Sequence, residues 1–326
     1  MRPSRSAAPA DQPVLRAPRL REVVGGYDID RLPIQVPPRP GEHPVSWLRR
    51  WAHRYGMTPN QLLVDLGVPP VTGNLLSIAV HIGRHEDTLA AASGLNGLPL
   101  EQPGDVAAQA LTDQLMRYYK RYHRVSPRRP TAPRFCPRCL REDEGAWRRA
   151  WTCPLLLVCT RHGVLMTRAC PGCSRPPFTH TLVGADTEAW TCSLPALGEH
   201  VHRTRYQRCG HDLRTAPTTA VSRRQVDVQA QLLSMAEEAA DDPHGQHIRC
   251  GSPVSNRDLL DAWLELLTEH LPPGNPLHRT STDPAVVLDS LTVVASVMAQ
   301  PDPAGAQERA SAAGLLHPAG KVTDRA

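Results

Sequence analysis

The chain has 326 residues, enough for about two domains. Its 33 prolines and 4% aromatic residues argue against one large aromatic core and favour small cores joined by linkers. The formal charge of +5 is modest, but the stretch from Arg117 to Arg149 holds eleven Lys/Arg against three acids, a local balance of +8 that leaves −3 for the rest. This basic middle predicts either a polyanion-binding face or a solvated, arginine-rich linker.

Targeting signals are missing from the sequence pattern. Residues 1–20 lack the continuous apolar core of a signal peptide, and no stretch approaches the roughly 20 apolar residues of a membrane span. We therefore expect a cytoplasmic protein with no membrane association. In that compartment, nine cysteines indicate metal ligands rather than disulfides.

The N-terminal region divides into an arm and a helical domain. Residues 1–30 are rich in Pro and Arg and are predicted to be disordered. The domain is placed at 31–134, and its first residues, RLPIQV, have apolar side chains at a spacing of two. That spacing predicts a short strand or a docked arm.

Two short helices follow with a tight turn between them. From Pro44, apolar residues recur at helical spacing until Gly56, and Thr58 then begins a capping box that opens a second helix ending at Gly67. This pattern is typical of a helix-turn-helix, although any small helical domain can contain such a hairpin. If the helix-turn-helix interpretation holds, the side chains expected near DNA are Arg49, Arg50, Arg54, Asn60 and Gln61.

Further helices are predicted over 86–93 and 105–123, and a Pro-broken basic linker over 125–134. The helix predicted over 105–123 ends in a segment where tyrosines alternate with Lys and Arg. The tyrosine rings could stack on bases or pack on the core. The cations predicted to meet phosphate in this helix and linker are Arg117, Lys120, Arg121, Arg124, Arg128 and Arg129.

The central stretch predicts a metal site. A Cys-Pro-Arg-Cys turn is followed, after nineteen intervening residues, by a Cys-Thr-Arg-His segment. The ligands predicted for one closed, tetrahedral structural zinc are Cys136, Cys139, Cys159 and His162. Apolar runs at 155–158 and 164–166 predict a zinc-ribbon-like β hairpin with the metal knuckle at its tip. Four protein ligands leave no open position for catalysis, and no βαβ pattern supports a redox role for the CxxC pair.

A second zinc site is predicted to begin at Cys170, which seven residues separate from His162. The predicted ligands are Cys170, Cys173, Cys192 and Cys209, which are separated by larger and less regular loops. His211 is an alternative to Cys192, and His200 and His202 are weaker candidates. Together the two sites define a double zinc-binding domain over 135–214.

The C-terminal part is predicted to be a helical bundle over 222–300. Helical patterns cover about 226–240, 255–270 and 284–299, and residues 301–326 are expected to form a flexible tail. The predicted fold is therefore mainly α with small zinc-ribbon-like β hairpins: an N-terminal helix-turn-helix-like domain, a central double zinc-binding module and a C-terminal helical bundle.

The run FCPRCLREDEGAWRRAWTCPLLLVCTRHGVLMTRACPGC resembles the TniQ family of transposition proteins. That family shows a CPxC pair, a Trp-containing segment, an apolar strand, a CPxHG turn and a second CPxC. Gly41-Glu42 and Ser46-Trp47 also resemble its opening, where a Gly-Glu-Ser-like step precedes a Ser-Trp helix. Thr160 departs from the family's usual Pro, and the stretch from Cys173 to Cys209 is longer than a simple second CxxC.

This resemblance implies a non-catalytic accessory protein of DNA transposition. Relatives help to choose or mark the target and contact an AAA+ ATPase regulator that recruits the transposase. The sequence shows no Walker motif and no spaced acidic triad, in agreement with that role. The alternatives are a zinc-containing helix-turn-helix transcriptional regulator and a zinc enzyme. Whether the chain forms a homodimer stays open.

Overall fold

The computed structural model describes residues 32–71, 75–94, 103–122, 133–178, 187–196, 207–249, 252–271 and 283–315. Within these ranges the protein is mainly helical and carries two small antiparallel hairpins. The helices are α1 (Pro44–Arg54), α2 (Pro59–Asp65), α3 (Leu75–Arg84), α4 (Glu86–Ser93), α5 (Pro103–Tyr122), α6 (Pro137–Glu142), α7 (Arg223–Asp241), α8 (Asn256–His270), α9 (Pro284–Met298) and α10 (Pro303–Ala312). The strands are β1 (Val158–Cys159), β2 (Val164–Leu165), β3 (Gln246–Arg249) and β4 (Ser252–Ser255).

The two helices expected at the N-terminal end are present with the expected caps. Trp47 and Trp51 of α1 are fully buried and stack with ring centroids 5.1 Å apart. The capping box at α2 is complete, since Thr58 accepts from the Gln61 amide and the Gln61 side chain accepts from the Thr58 amide. The pair as a DNA-binding helix-turn-helix stays a prediction.

The segment before α1 is an extended, docked arm. Leu32 and Val36 are buried while Ile34 is 44% exposed, so the three apolar side chains do not share one buried face as a regular strand would place them. Trp47 Nε1 donates to the Val36 carbonyl at 2.6 Å, and the Tyr55 hydroxyl accepts from the Ile34 amide at 2.8 Å. No strand partner is needed, because side chains of α1 and its C-cap supply these bonds.

One core runs from the N-terminal helices to the C-terminal ones. Helix α5 packs along α7 and also meets α8, where the Gln114 side chain donates to Asp261. In α7, Gln229 is fully buried and its Oε1 accepts from the amides of Leu157 and Val158, at 2.8 and 3.2 Å. The helices assigned to 31–134 and to 222–300 therefore share apolar contacts around the central module.

Three features differ from the sequence predictions. Helix α3 and the hairpin β3–β4 were not predicted; the hairpin is short, and Ile248 in it is 73% exposed. The segment 301–326, expected to be a flexible tail, contains α10. Asp302 caps that helix, and Ala310 and Leu315 are buried against α9, so few but well-placed apolar groups order it.

Candidate metal centres

The first cluster is assembled around the hairpin β1–β2. Cys159 ends β1 and pairs with Val164 of β2, and the turn between them is closed by amides of His162 and Gly163 that donate to the Cys159 carbonyl. Phe135 and Thr167 exchange two backbone hydrogen bonds of 2.7 and 2.8 Å beside the hairpin. This bridge brings the CPRC segment next to the knuckle.

The four predicted ligands of this cluster converge. His162 Nδ1 lies 3.4 Å from Cys136 Sγ, 3.3 Å from Cys139 Sγ and 3.4 Å from Cys159 Sγ, and Cys139 Sγ lies 3.6 Å from Cys159 Sγ. A tetrahedral ion with metal–sulfur bonds of about 2.3 Å would hold its sulfurs about 3.8 Å apart. All four atoms fall within 4.8 Å of one another, so the cluster fits one metal ion.

Cys136 and Cys139 belong to the start of α6. Cys136 is the N-cap and Pro137 is the first helical residue, which suits proline because its missing N–H has no partner there. A cysteine at a helix start can also serve redox chemistry, so this helix does not by itself identify the kind of site. The metal interpretation rests instead on the two further donors, Cys159 and His162, at the same point.

His162 is oriented by a carboxylate that the sequence analysis missed. Its Nε2 lies 2.9 Å from Glu142 Oε1, which leaves Nδ1 facing the three sulfurs. Glu142 Oε2 also pairs with Arg161 at 2.6 Å. A carboxylate behind a ligating histidine fixes its ring and tautomer. Glu142 lies three residues after Cys139 on α6, and that spacing was the available signal.

The second cluster joins two distant segments. The sulfurs of Cys170 and Cys209 lie 3.7 Å apart, as do those of Cys173 and Cys192. These separations are too long for disulfides, and all four thiols are free. The cluster fits a metal ion held by four sulfurs. The structure therefore brings Cys192 together with the other three ligands.

Backbone pairing sets the register of the second cluster. The Cys192 amide donates to the His211 carbonyl at 3.0 Å, and the Cys209 amide donates to the Leu194 carbonyl at 2.7 Å. A Cβ on Gly172 would lie 2.9 Å from Cys209 Sγ, so the turn between Cys170 and Cys173 requires glycine. His211 lies beside the cluster without joining it, and its Nε2 is buried with no hydrogen-bond partner among the described residues.

Electrostatics favours a cation in both clusters. Hydrogen bonds with Cys136 and Cys159, together with burial, raise the pKa of the Cys139 thiol. Burial raises the pKa of the Cys192 thiol, and the neighbouring sulfurs of Cys170 and Cys173 add to the effect. Hydrogen bonds from neighbouring groups instead lower the pKa of Cys159 and Cys173. Each cluster therefore accommodates one thiolate readily, and further thiolates require a compensating charge such as a divalent metal ion, which deprotonates its thiol ligands.

The opening of α1 fastens to the first cluster through a buried polar network. Glu42 is 4% exposed and accepts from Arg50 Nε at 2.8 Å, from Arg50 Nη2 at 2.7 Å and from Ser46 Oγ at 2.8 Å. Ser46 Oγ accepts in turn from the Trp147 amide at 2.9 Å. His43 caps α1, and its burial, followed by the charge of Arg149, lowers its pKa to about 3. The imidazole is therefore neutral.

Residues 33–166 match the family model described as TniQ. The chain carries a TniQ domain. The match runs from the docked arm to the end of the first-cluster hairpin. Searches of curated proteins and of solved structures return no match.

The match links this part of the chain to a family associated with transposition. Within the residues that the structure describes, no helix has both the length and the apolar character needed to cross a bilayer. The match includes Cys136, Cys139, Cys159 and His162 and ends before Cys170.

The residues predicted to contact DNA within the TniQ match fall into two groups: some bond to other parts of the protein, and others are exposed to solvent. Arg49 is 2% exposed and bonds to carbonyls of 187–191, so it does not face solvent as predicted. Arg50 is paired with Glu42, and the Asn60 amide bonds to both backbone groups of Val71. Gln61 is exposed, but its side chain accepts a hydrogen bond from the Thr58 amide in the capping box.

Three predicted cations face solvent. Arg54 at the end of α1, and Arg117 and Lys120 on α5, are exposed, and Arg117 also donates to the Gln114 side chain. The side chain of Arg121 and the residues Arg124, Arg128 and Arg129 lie outside the described part of the chain, as do His200 and His202.

Proposed function

We propose that this TniQ protein is a non-catalytic accessory of DNA transposition that binds DNA and helps to select or mark a target. Its partners in this role are an AAA+ ATPase regulator and, through it, the transposase. The observation that carries the proposal is the TniQ match over residues 33–166. The exposed cations Arg54, Arg117 and Lys120 on the same part of the chain support contact with a polyanion.

Each cluster is proposed to hold one structural zinc ion. Three sulfurs with one imidazole, and four sulfurs, are donor sets that tetrahedral zinc takes in structural sites. Cys136, Cys139, Cys159 and His162 would hold one ion, and Cys170, Cys173, Cys192 and Cys209 the other. The ions would supply fixed crosslinks between segments and no open coordination position. Their task is to keep the exposed helices in place.

DNA binding through these cations makes a salt-dependent prediction. Lys120→Ala and Arg54→Ala should each make the dependence of log affinity on log salt shallower by about 0.9, because each removes one phosphate contact. Affinities for duplex DNA at several salt concentrations measure the slopes. Arg223→Ala is the matched control, since it removes an exposed arginine of α7. Unchanged slopes in both test variants would refute these contacts.

The transposition partner is tested separately. The AAA+ regulator from the same locus should be retained by the immobilised protein, with and without DNA. DNA binding with no retention of the ATPase would instead favour the alternative function, a zinc-containing transcriptional regulator. Metal-dependent hydrolytic activity that follows a labile ion would contradict the non-catalytic role.

A further inference from the structure

Arg49 connects α1 to the segment that leads into the second cluster. Its Nε donates to the Thr187 carbonyl at 3.2 Å, and Nη1 donates to the Ala189 carbonyl at 3.2 Å. Its Nη2 donates to the Thr191 carbonyl at 2.9 Å and to Thr187 Oγ1 at 2.6 Å. The side chain is 2% exposed, so these bonds are made away from water.

The same helix contacts the first-cluster segment one turn earlier. The Trp147 amide donates to Ser46 Oγ at 2.9 Å, and the His43 amide donates to the Trp147 carbonyl at 2.7 Å. Ser46 and Arg49 are three residues apart and so lie on one side of α1. The Trp147 indole also donates to the Ala189 carbonyl at 3.2 Å. Helix α1 thus contacts segments that belong to both clusters.

The position of these bonds in the chain gives them a consequence for the metal site. Thr191 immediately precedes the ligand Cys192, so a ligand held by a metal ion also limits where the Thr191 carbonyl can move. Three acceptors at alternate residues match the rigid fork of a guanidinium, which a lysine ammonium does not reproduce. Two binding events that share one ordered segment must favour each other.

We propose that Arg49 is a positioning residue of the second metal site: it holds Thr187–Thr191 in the ligating arrangement and couples metal retention at that cluster to the placement of α1. This inference rests on the proposed metal occupancy of the clusters. It also replaces the expected DNA contact of Arg49 with a role inside the protein. The element coupled to the second metal site is therefore α1, the first helix of the predicted helix-turn-helix.

The test uses the full chain loaded with cadmium-113, whose NMR signal distinguishes a four-sulfur site from a site with three sulfurs and one nitrogen. Chelator is added, and the loss of each signal is followed. Arg49→Lys should release the ion of the second cluster about tenfold faster, the size expected for losing an outer support of a ligand. The first-cluster signal should decay as in wild type.

Two further variants guard against simple misfolding. Thr187→Val removes only the Oγ1 acceptor and should speed release from the second cluster in the same direction but less. Arg84→Lys, an exposed arginine at the end of α3, should change neither rate. Equal acceleration at both clusters in Arg49→Lys, or wild-type release in Thr187→Val, would overturn the coupling.

The reverse direction is measured by hydrogen exchange. Cys192→Ser should speed amide exchange in α1 more than in α9, because the carbonyls that hold Arg49 are no longer fixed. Unchanged exchange in α1 would also overturn the proposal. Metal analysis of the wild-type protein distinguishes a failure of the zinc assignment from a failure of the coupling through Arg49. An absent second ion refutes the zinc assignment, whereas two bound ions with no effect of Arg49→Lys refute the coupling alone.

Discussion

The two metal clusters use similar donors but are built differently. The first takes its ligands from residues 136–162, within the TniQ match, and a hairpin places two of them. The second takes ligands from 170–209, beyond the match, and isolated bridges such as Thr191–Asp212 set its register. The first also includes an imidazole with a carboxylate behind it, whereas the second contains only sulfur.

This difference predicts different roles in stability. Around the first cluster, Phe135 and Trp147 are buried with ring centroids 5.2 Å apart, and α7 contacts the hairpin through Gln229. Each cluster has three buried donors and one partly exposed donor, so the contrast rests on the surrounding core and not on ligand burial. With metal bound as proposed, the first ion would organise the shared core, and the second would fix the 187–191 segment against α1.

Removing one ligand from each cluster gives the largest expected effects. Cys139→Ser and Cys192→Ser should each lower the bound zinc from two ions to one. Structural zinc contributes about 10–16 kcal/mol to folding in small domains, which is comparable with the whole stability of a domain, about 5–15 kcal/mol. Cys139→Ser should therefore disrupt folding around the hairpin, and Cys192→Ser should lower the melting temperature much less.

Metal analysis and thermal unfolding of the two variants measure this contrast. Cys153→Ser is a useful control, because Cys153 is buried but belongs to neither cluster. It should keep both ions. Similar melting temperatures for Cys139→Ser and Cys192→Ser would contradict the unequal roles.

The carboxylate behind His162 gives a smaller, selective effect. Glu142→Gln keeps an oxygen near the ring but removes the charge that orients and polarises it. We expect about tenfold weaker retention of the first metal ion and no change at the second. Chelator competition measures both. Glu144→Gln is the matched control, since Glu144 is in the same turn and pairs with Arg39 instead.

Much of this architecture was predictable because its signals are local. Thr58 and Gln61 identify the start of α2, Gly94 the end of α4 and Ser255 the start of α8, and each cap is found in the structure. Caps and apolar periodicity depend on residues a few positions apart. The ligand sets were accessible for a related reason, since few residue types bind zinc.

The burial and pairing of the arginines in α1 were not predictable, because they depend on contacts with residues distant in the chain. Arg49, Arg50 and Arg54 have the same chemistry on one helix. The structure buries the first beneath residues about 140 positions away, pairs the second with Glu42 and leaves the third exposed. No sequence pattern within α1 encodes which arginine faces the 187–191 segment.

The choice between Cys192 and His211 gives the smallest expected effect. His211→Ala should keep two bound zinc ions, because the four sulfurs converge without it. His211 is partly buried, and its Nε2 has no described partner that would be left unsatisfied, so we expect a stability cost of about 1 kcal/mol. Metal analysis beside Cys192→Ser decides between the two residues. A loss of one ion in His211→Ala would make His211 a ligand and would replace the four-sulfur site with a second site of mixed donors.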